Sequence, residues 1–305
     1  MILLRLFALV TPLVLMIASS RAAEIFRVAT YNLEGYLETS AGTRPKKSEQ
    51  ARSKIRQSIR SIDPDVLALQ ELGSVAALLE LRDSLKAEGL DLAHWQYVSG
   101  SDTNIHIAVL SKFPFTARRT YTNESYLLGG RRFHISRGFM ELEIQVNSGY
   151  AFSVFTAHFK SKRAIPQADE TQIRQEEARL LREKIDAHLA ANPERNLVVL
   201  GDFNDTKDAL STRILVGQGK HKLVDTRPAE RNGDKIANPS ASARKITWTL
   251  YYGKTDTFSR VDYIMLSAGM AREWLAQETY IATIADWGLA SDHRPLVAGF
   301  EAIDR

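Results

Sequence analysis

The chain has 305 residues, 44% of them hydrophobic and 25% charged, with a formal net charge of +4 and no cysteine. It is long and apolar enough to bury a large core, and its composition excludes a disordered, collagenous or membrane-bundle chain. Without cysteine there is no disulfide framework, no lipid-modified cysteine and no thiolate nucleophile, so any site chemistry rests on oxygen and nitrogen donors.

The first 23 residues place Arg5 ahead of an apolar run that Pro12 interrupts and that Ala18, Ser19, Ser20 and Ala22 close. This is the pattern of a secretory signal peptide, because the run is short for a bilayer span; an uncleaved anchor is the alternative. Residues 1–23 are therefore expected to be removed, and residues 24–305 to act as one domain in a secreted or periplasmic setting. Cleavage carries off Arg5 and Arg21 and leaves the mature chain closer to neutral. Basic residues are nonetheless clustered, at Arg118 and Arg119, at Arg131, Arg132 and Arg137, and at Lys160, Lys162 and Arg163.

In chain order, Phe26–Asn32 reads as a strand with a polar end. Residues 48–62 carry Ala51, Ile55, Ile59 and Ile62 at helical spacing, with Ser48 as N-cap and Asp63-Pro64 as stop. Val66–Leu69 is a short apolar run expected to be covered on both faces, delivering Gln70 and Glu71. Residues 74–86 form a second predicted helix closed by Gly89. Ile105–Leu110 is another buried strand. Residues 140–146 alternate Met140, Leu142, Ile144 and Val146 with Glu141, Glu143 and Gln145, predicting a strand wet on one face. The Asn147-Ser148-Gly149 turn then leads into Phe152–Ala157 as an antiparallel hairpin. A long helix is expected from about Asp169 to Leu189, then a strand at Leu197–Leu200. Residues 207–245 are polar and read as the least regular part, and Val261–Leu266 and Leu296–Phe300 supply the last strands. Strands paired both ways with helices between them predict an α/β or α+β sandwich on mixed sheets, with chemistry at strand ends.

Polar residues stand where these apolar runs stop. Glu71, at the lip of an apolar strand, needs a partner: a hard divalent cation such as Mg²⁺, or an ordinary salt bridge. Asn32 is either a phosphate-orienting amide or a turn residue. In Gly201-Asp202-Phe203-Asn204-Asp205, Asp202 and Asn204 lie two apart and can face one pocket with a carboxylate and an amide. Asp262 can fix the tautomer of His293, with Asp292 left for a metal. His158, followed by Lys160, can donate to a phosphate oxygen. His106 and His134 read as structural or surface residues. No glycine-rich phosphate loop ending in Lys, no HExxH and no GxSxG is present.

The set Leu69-Gln70-Glu71, Gly201-Asp202-Phe203-Asn204-Asp205, Val261-Asp262-Tyr263 and Ser291-Asp292-His293 resembles the endonuclease/exonuclease/phosphatase superfamily, from the first strand to the last. The resemblance implies a four-layer α/β sandwich of two mixed sheets flanked by helices and a divalent-metal phosphoesterase. It also implies Asn32, Glu71 and Asp292 at the metal, with Mg²⁺ expected and Mn²⁺ or Ca²⁺ as alternatives. His158, Asp202, Asn204, Asp262 and His293 would be catalytic or phosphate-contacting, with Arg137 and Lys160 on the substrate phosphate. Abasic-site nucleases follow the glutamate with Thr-Lys, and DNase I-like members place Arg two residues after it; Leu72 and Gly73 stand there in this chain. The expected activity is that of an exported, monomeric phosphodiesterase acting on nucleic acid, with water activated by His293 and Asp262 or by Asp202. Alternatives are a phosphoesterase of lipid or inositol-phosphate headgroups, with residues 248–253 as a membrane-touching aromatic loop, and a non-catalytic binder that keeps the fold.

Overall fold

The computed structural model describes residues 24–231 and 246–305. The expected signal peptide and the stretch 232–245 of the polar segment lie outside these residues. The elements run β1 (Ile25–Tyr36), α1 (Glu49–Ile62), β2 (Val66–Leu72), α2 (Val75–Ala87), β3 (His94–Val98), β4 (His106–Ser111), β5 (Phe115–Tyr121), β6 (Ser125–Leu128) and β7 (Arg131–His134). They continue with β8 (Phe139–Asn147), β9 (Tyr150–His158), α3 (Glu170–Ala191), β10 (Leu197–Asp202), α4 (Leu210–Val216), β11 (Val224–Asp225) and β12 (Ala229–Glu230). The last are β13 (Leu250–Tyr252), β14 (Thr257–Ser259), β15 (Asp262–Leu266), α5 (Ala268–Arg272), β16 (Trp274–Ile281) and β17 (Leu296–Glu301).

Two mixed sheets carry the fold, a seven-stranded one ordered β12-β16-β17-β1-β2-β4-β3 and a six-stranded one ordered β11-β15-β10-β9-β8-β5. Alternation along each strand decides what is packed against what, since successive side chains point to opposite faces. Phe26, Val28, Val66 and Ala68 of the first sheet meet Leu142, Val154, Val198 and Ile264 of the second in the central core. The intervening residues Ala29, Leu67 and Leu69 turn outward onto Ile55 and Ile59 of α1 and Leu78 and Leu81 of α2. On the far side Phe155, Val199 and Tyr263 pack on Ile173, Leu181 and Ile185 of α3. The result is the four-layer α/β sandwich expected from sequence, and a Leu→Ala change in any of these cores costs about 2–5 kcal/mol.

The helix starts follow their caps: Ser48 accepts from the Ala51 amide, Ser74 from that of Ala77, and Asp169 from those of Thr171 and Gln172. Asp63 ends α1 in a left-handed conformation with Pro64 beyond it. Two expectations are corrected. The strand at residues 140–146 is wet only over part of its polar face: Glu143 and Gln145 are half-buried as expected, but Arg119, Tyr121 and His188 of α3 close over Glu141 and bond its carboxylate. The polar stretch after Lys207 is not wholly irregular, since it contains α4, whose last carbonyls, of Leu215 and Val216, accept from the buried Arg182. The aromatic segment at residues 248–253 supplies β13 of a small hairpin with β14. No helix among the described residues is long and apolar enough to cross a membrane.

Candidate active site

Three strands of the six-stranded sheet end in one row. His158 closes β9, Asp202 closes β10 and Asp262 opens β15; Asp202 is paired in register with both of the others. Adjacent strands lie about 4.8 Å apart, so a shared row delivers three side chains to one place without any loop. Gly201 makes the close approach feasible: a Cβ there would fall 2.0 Å from the Ala157 carbonyl oxygen. All three side chains are almost fully buried.

Strand ends of the seven-stranded sheet, packed face to face on the six-stranded one, lie beside the row. Asn32 of β1 donates from Nδ2 to Asp202 Oδ2 at 2.9 Å and accepts the Glu34 amide on its own Oδ1, so it holds Asp202 across the two sheets. The loop before β17 is pinned by Ser291, whose hydroxyl donates to the Asn32 carbonyl and accepts the His293 amide. His293 Nδ1 then lies 2.8 Å from Asp262 Oδ2, with Nε2 3.8 Å from Asp202 and 3.9 Å from Asp292. The expected carboxylate–imidazole pair is thus formed. Thr249 fixes its far end, its hydroxyl accepting the Val261 and Asp262 amides.

At the other end the chain is irregular. Glu71 is held at φ 60° beside a register shift in β2, and Glu34 at φ 49°, both in the left-handed region. Asn204, at φ 53°, is the third such residue here, its Nδ2 donating to the Phe159 carbonyl. Strained non-glycine backbone gathered at three converging strand ends is a mark of a functional site. Glu71 is bonded by Arg44 Nη1 at 2.8 Å, and Glu34 by Lys47 at 3.2 Å. Neither these cations nor Glu34 stands out in the sequence, because they sit in polar loops with no apolar run to mark them.

The electrostatics separate the groups by role. Burial, then the neighbouring Asp262, raises the Asp202 carboxyl to about 7. Burial, helped by Glu34 and Glu71, raises that of Asp292 to about 6. Burial opposes charge on His293, but the carboxylates of Asp262, Asp202 and Asp292 outweigh it and hold the imidazole well above its ordinary range. Burial and the Arg137 guanidinium push His158 the other way, well below its usual value, so it is neutral.

Both His158 ring nitrogens, Asp262 Oδ1 and Arg137 Nε are buried without a hydrogen-bond partner among the described residues. Of these, the His158 and Asp262 atoms belong to one row beside Asp202, where a ligand would satisfy them. The donor set fits a hard divalent cation. Asp202, Asp262 and His293 gather donor atoms within 4.8 Å of one another, and the Asp202 and Asp292 carboxyls, raised by burial, are relieved by a nearby cation. The oxygen donors left to such a cation are Glu71, Asp292 and the Asn32 amide beside this cluster, because His293 is held protonated by Asp262 and an imidazolium has no free lone pair.

The substrate-side expectations fare differently. Arg137 is buried, with Nη1 donating to the Phe159 carbonyl at 3.0 Å and Nε 3.5 Å from Asp102. Lys160 is folded onto its own loop, Nζ donating to the Ser161 and Arg163 carbonyls. His106 is buried against Tyr97, opposite Leu72, and His134 is exposed.

The fold is shared with solved structures of low sequence identity. The human Nocturnin catalytic domain with bound sulfate matches with a TM-score of 0.62 at 14% identity, over 92% of this chain and 95% of that one. Truncated TDP2 of Caenorhabditis elegans matches at 0.59 and 16% identity, over 91% and 98%. An endonuclease/exonuclease/phosphatase from Bacteroides vulgatus matches at 0.62 and 15%, over 92% and 100%. No curated protein sequence matches the chain. The sequence model of the endonuclease/exonuclease/phosphatase family matches residues 29–293, a span that takes in every strand-end residue of the site from Asn32 to His293. The chain belongs to the endonuclease/exonuclease/phosphatase family.

Proposed function

We propose that this chain is an exported phosphodiesterase, dependent on a divalent metal, that hydrolyses nucleic acid. The observation that carries the reading is the His158–Asp202–Asp262 row with His293 bonded to Asp262, because it places one proton acceptor and one cation side by side in a buried site. Asp202, titrating near 7, accepts a proton from the attacking water. His293, kept cationic by Asp262, donates from Nε2 to a phosphoryl oxygen as negative charge builds. Neutral His158, whose Nε2 lies 3.4 Å from Asp202 Oδ2 without a hydrogen bond, offers a ring nitrogen to the same phosphoryl group. Asn32 keeps Asp202 pointed at the water, and Asn204 holds the turn behind it. Glu71, Asp292 and Asn32 would hold Mg²⁺, which supplies charge neutralisation at the phosphate oxygens and offsets the carboxylate field around His293.

Nucleic acid is favoured by basic residues near the site. Among the described residues Arg118, Arg131 and Arg132 are exposed and form no ion pair, and β7 runs directly into the Arg137 loop. Arg118 bonds Gln96, Arg131 stacks on Phe133 and Arg132 bonds Ser125, which leaves their charge unneutralised for a repeating phosphate backbone. A lipid headgroup is the second reading. It is favoured by the β13–β14 hairpin, whose Leu250 bridges to His293 and which exposes Tyr252 and Phe258. Hydrolysis of DNA, RNA, sphingomyelin and inositol phosphates, each in Mg²⁺ and in excess chelator, tests both. Cleavage of DNA or RNA only with metal is expected; sphingomyelin turned over much faster than either nucleic acid would move the substrate to lipid.

A further inference from the structure

Helix α3 packs on the six-stranded sheet through Ile173, Leu181 and Ile185, yet two charged residues, Arg174 and Glu177, occupy the same buried side where it passes the site. Burying charge is costly unless every polar atom finds a partner, so their partners show what they are for. Glu177 accepts the Ser136 amide on Oε1 at 3.1 Å and the Lys160 amide on Oε2 at 2.6 Å. Arg174 donates from Nε to Asp205 Oδ2 at 3.0 Å and from Nη1 to the Lys160 carbonyl at 3.3 Å. Asp205 in turn accepts the Ser211 hydroxyl at the start of α4.

These bonds converge on the peptide units just after His158. The Phe159 amide donates to the Asp202 carbonyl, and the Phe159 carbonyl accepts from both Arg137 and Asn204. Lys160 is gripped at its amide by Glu177 and at its carbonyl by Arg174. Three loops are thereby tied to one helical turn: the one bearing Ser136 and Arg137, the one leaving His158, and the one leaving Asp202 and Asn204. Residues three apart on a helix lie on one face, which lets a single turn reach all three.

We propose that Arg174 and Glu177 are positioning residues for the hydrolytic reaction, fixing His158, Arg137 and Asn204 against one another through the backbone that carries them. Neither touches substrate. This rests on the phosphoesterase reading and adds a residue pair on a helix remote from the strand-end set. A displacement of about 1 Å in a reacting group costs on the order of 100-fold in rate, so loosening the clamp acts on turnover more than on affinity.

Glu177→Gln keeps the volume but turns one accepting oxygen into an amide that faces a backbone N–H. It is expected to lower kcat on a small phosphodiester in Mg²⁺ by about 10- to 100-fold with KM changed less than about threefold. Amide hydrogen exchange should rise at Ser136 and Lys160. The loss should be clearly smaller in a His158→Ala background, because part of the clamp's effect runs through that residue and the rest through Arg137 and Asn204. Leu189→Ala, on the same helix but about three turns from Glu177, is the control that lowers the thermal midpoint and leaves kcat unchanged. Should Glu177→Gln fail to fold, Arg174→Lys carries the same expectation at Lys160 and Asp205. Unchanged kcat in the folded variant, or an equal loss with and without His158, overturns the clamp. A fully active His158→Ala would instead overturn the assignment of the site itself.

Discussion

The two sheets contribute to one site in opposite ways. The six-stranded sheet ends in a straight row, His158, Asp202 and Asp262, in register and buried. The seven-stranded sheet ends in bulges and left-handed residues, with Glu34, Glu71 and Asp292 reaching towards solvent and Arg44 and Lys47 paired onto the two glutamates. A buried, in-register row holds proton donors and acceptors at fixed separations and shifts their affinities for protons. An irregular acidic rim instead offers oxygen ligands that can adjust around an incoming cation and its phosphate. The division suggests that proton acceptance belongs to the six-stranded sheet and charge neutralisation to the other, with His293, on the loop before β17, and the Asn32–Asp202 hydrogen bond as the seam.

That division can be broken most severely at Asp202. Asp202→Asn removes the proton acceptor and is expected to lower kcat by roughly 10²- to 10⁴-fold without changing the metal-induced shift in thermal midpoint by more than a few degrees. A loss of metal binding together with turnover would put Asp202 on the metal instead. Next in size is Glu71→Gln. Outer partners of metal ligands are worth about 10- to 100-fold in affinity, so a direct ligand should cost at least about 100-fold, read by Mg²⁺ or Mn²⁺ titration. Retained metal affinity in Glu71→Gln would leave the Arg44 ion pair as the whole role of that carboxylate.

The pH profile sharpens the account of the row. Asp202 must lose its proton to act, and its carboxyl is raised to about 7, so kcat/KM should climb as pH approaches that value. His293 must keep its proton, and its affinity is raised well above 6.5, so activity should fall again on the alkaline side. Asp262→Asn should draw the alkaline limb to lower pH, since it removes the first charge that favours the imidazolium. An alkaline limb that stays put would remove His293 as the cation. The smallest effect is at the periphery. Arg131→Ala with Arg132→Ala should flatten the log–log salt dependence of DNA binding by up to about 0.9 for each phosphate no longer neutralised, leaving hydrolysis of a small diester unchanged. An unaltered slope would take the β6–β7 hairpin out of the substrate path.

The row was legible in the sequence because its signal is local: an apolar run that stops at a polar residue marks a buried strand reaching the sheet's edge. His158 and Asp202 carry that mark, Asp262 opens such a run, and mixed sheets followed from strands readable in both directions, the four layers being what the family resemblance implied. The rim was less legible. Glu71 stood at a strand end, but Glu34, Arg44 and Lys47 belong to a stretch whose folding over the site depends on the bulge after Asn32. Arg174 and Glu177 look like ordinary charged positions of an amphipathic helix until the loops they grip are in place. Edge strands such as β5, rich in exposed Thr and Arg, escaped for lack of an apolar face. The Glu141 face was misread because its cover, His188 of α3, lies far along the chain.

The central claim is that Asp262 works through His293 as a unit beside Asp202, and a double-mutant cycle on turnover of a small phosphodiester in saturating Mg²⁺ tests it most directly. Asp262→Asn and His293→Ala should each lower kcat strongly, and the double variant should lose no more than His293→Ala alone, because a carboxylate that acts only through an imidazole has nothing left to act on. A double variant whose loss equals the product of the two single losses would mean that the 2.8 Å contact does not couple them in catalysis, contradicting the account.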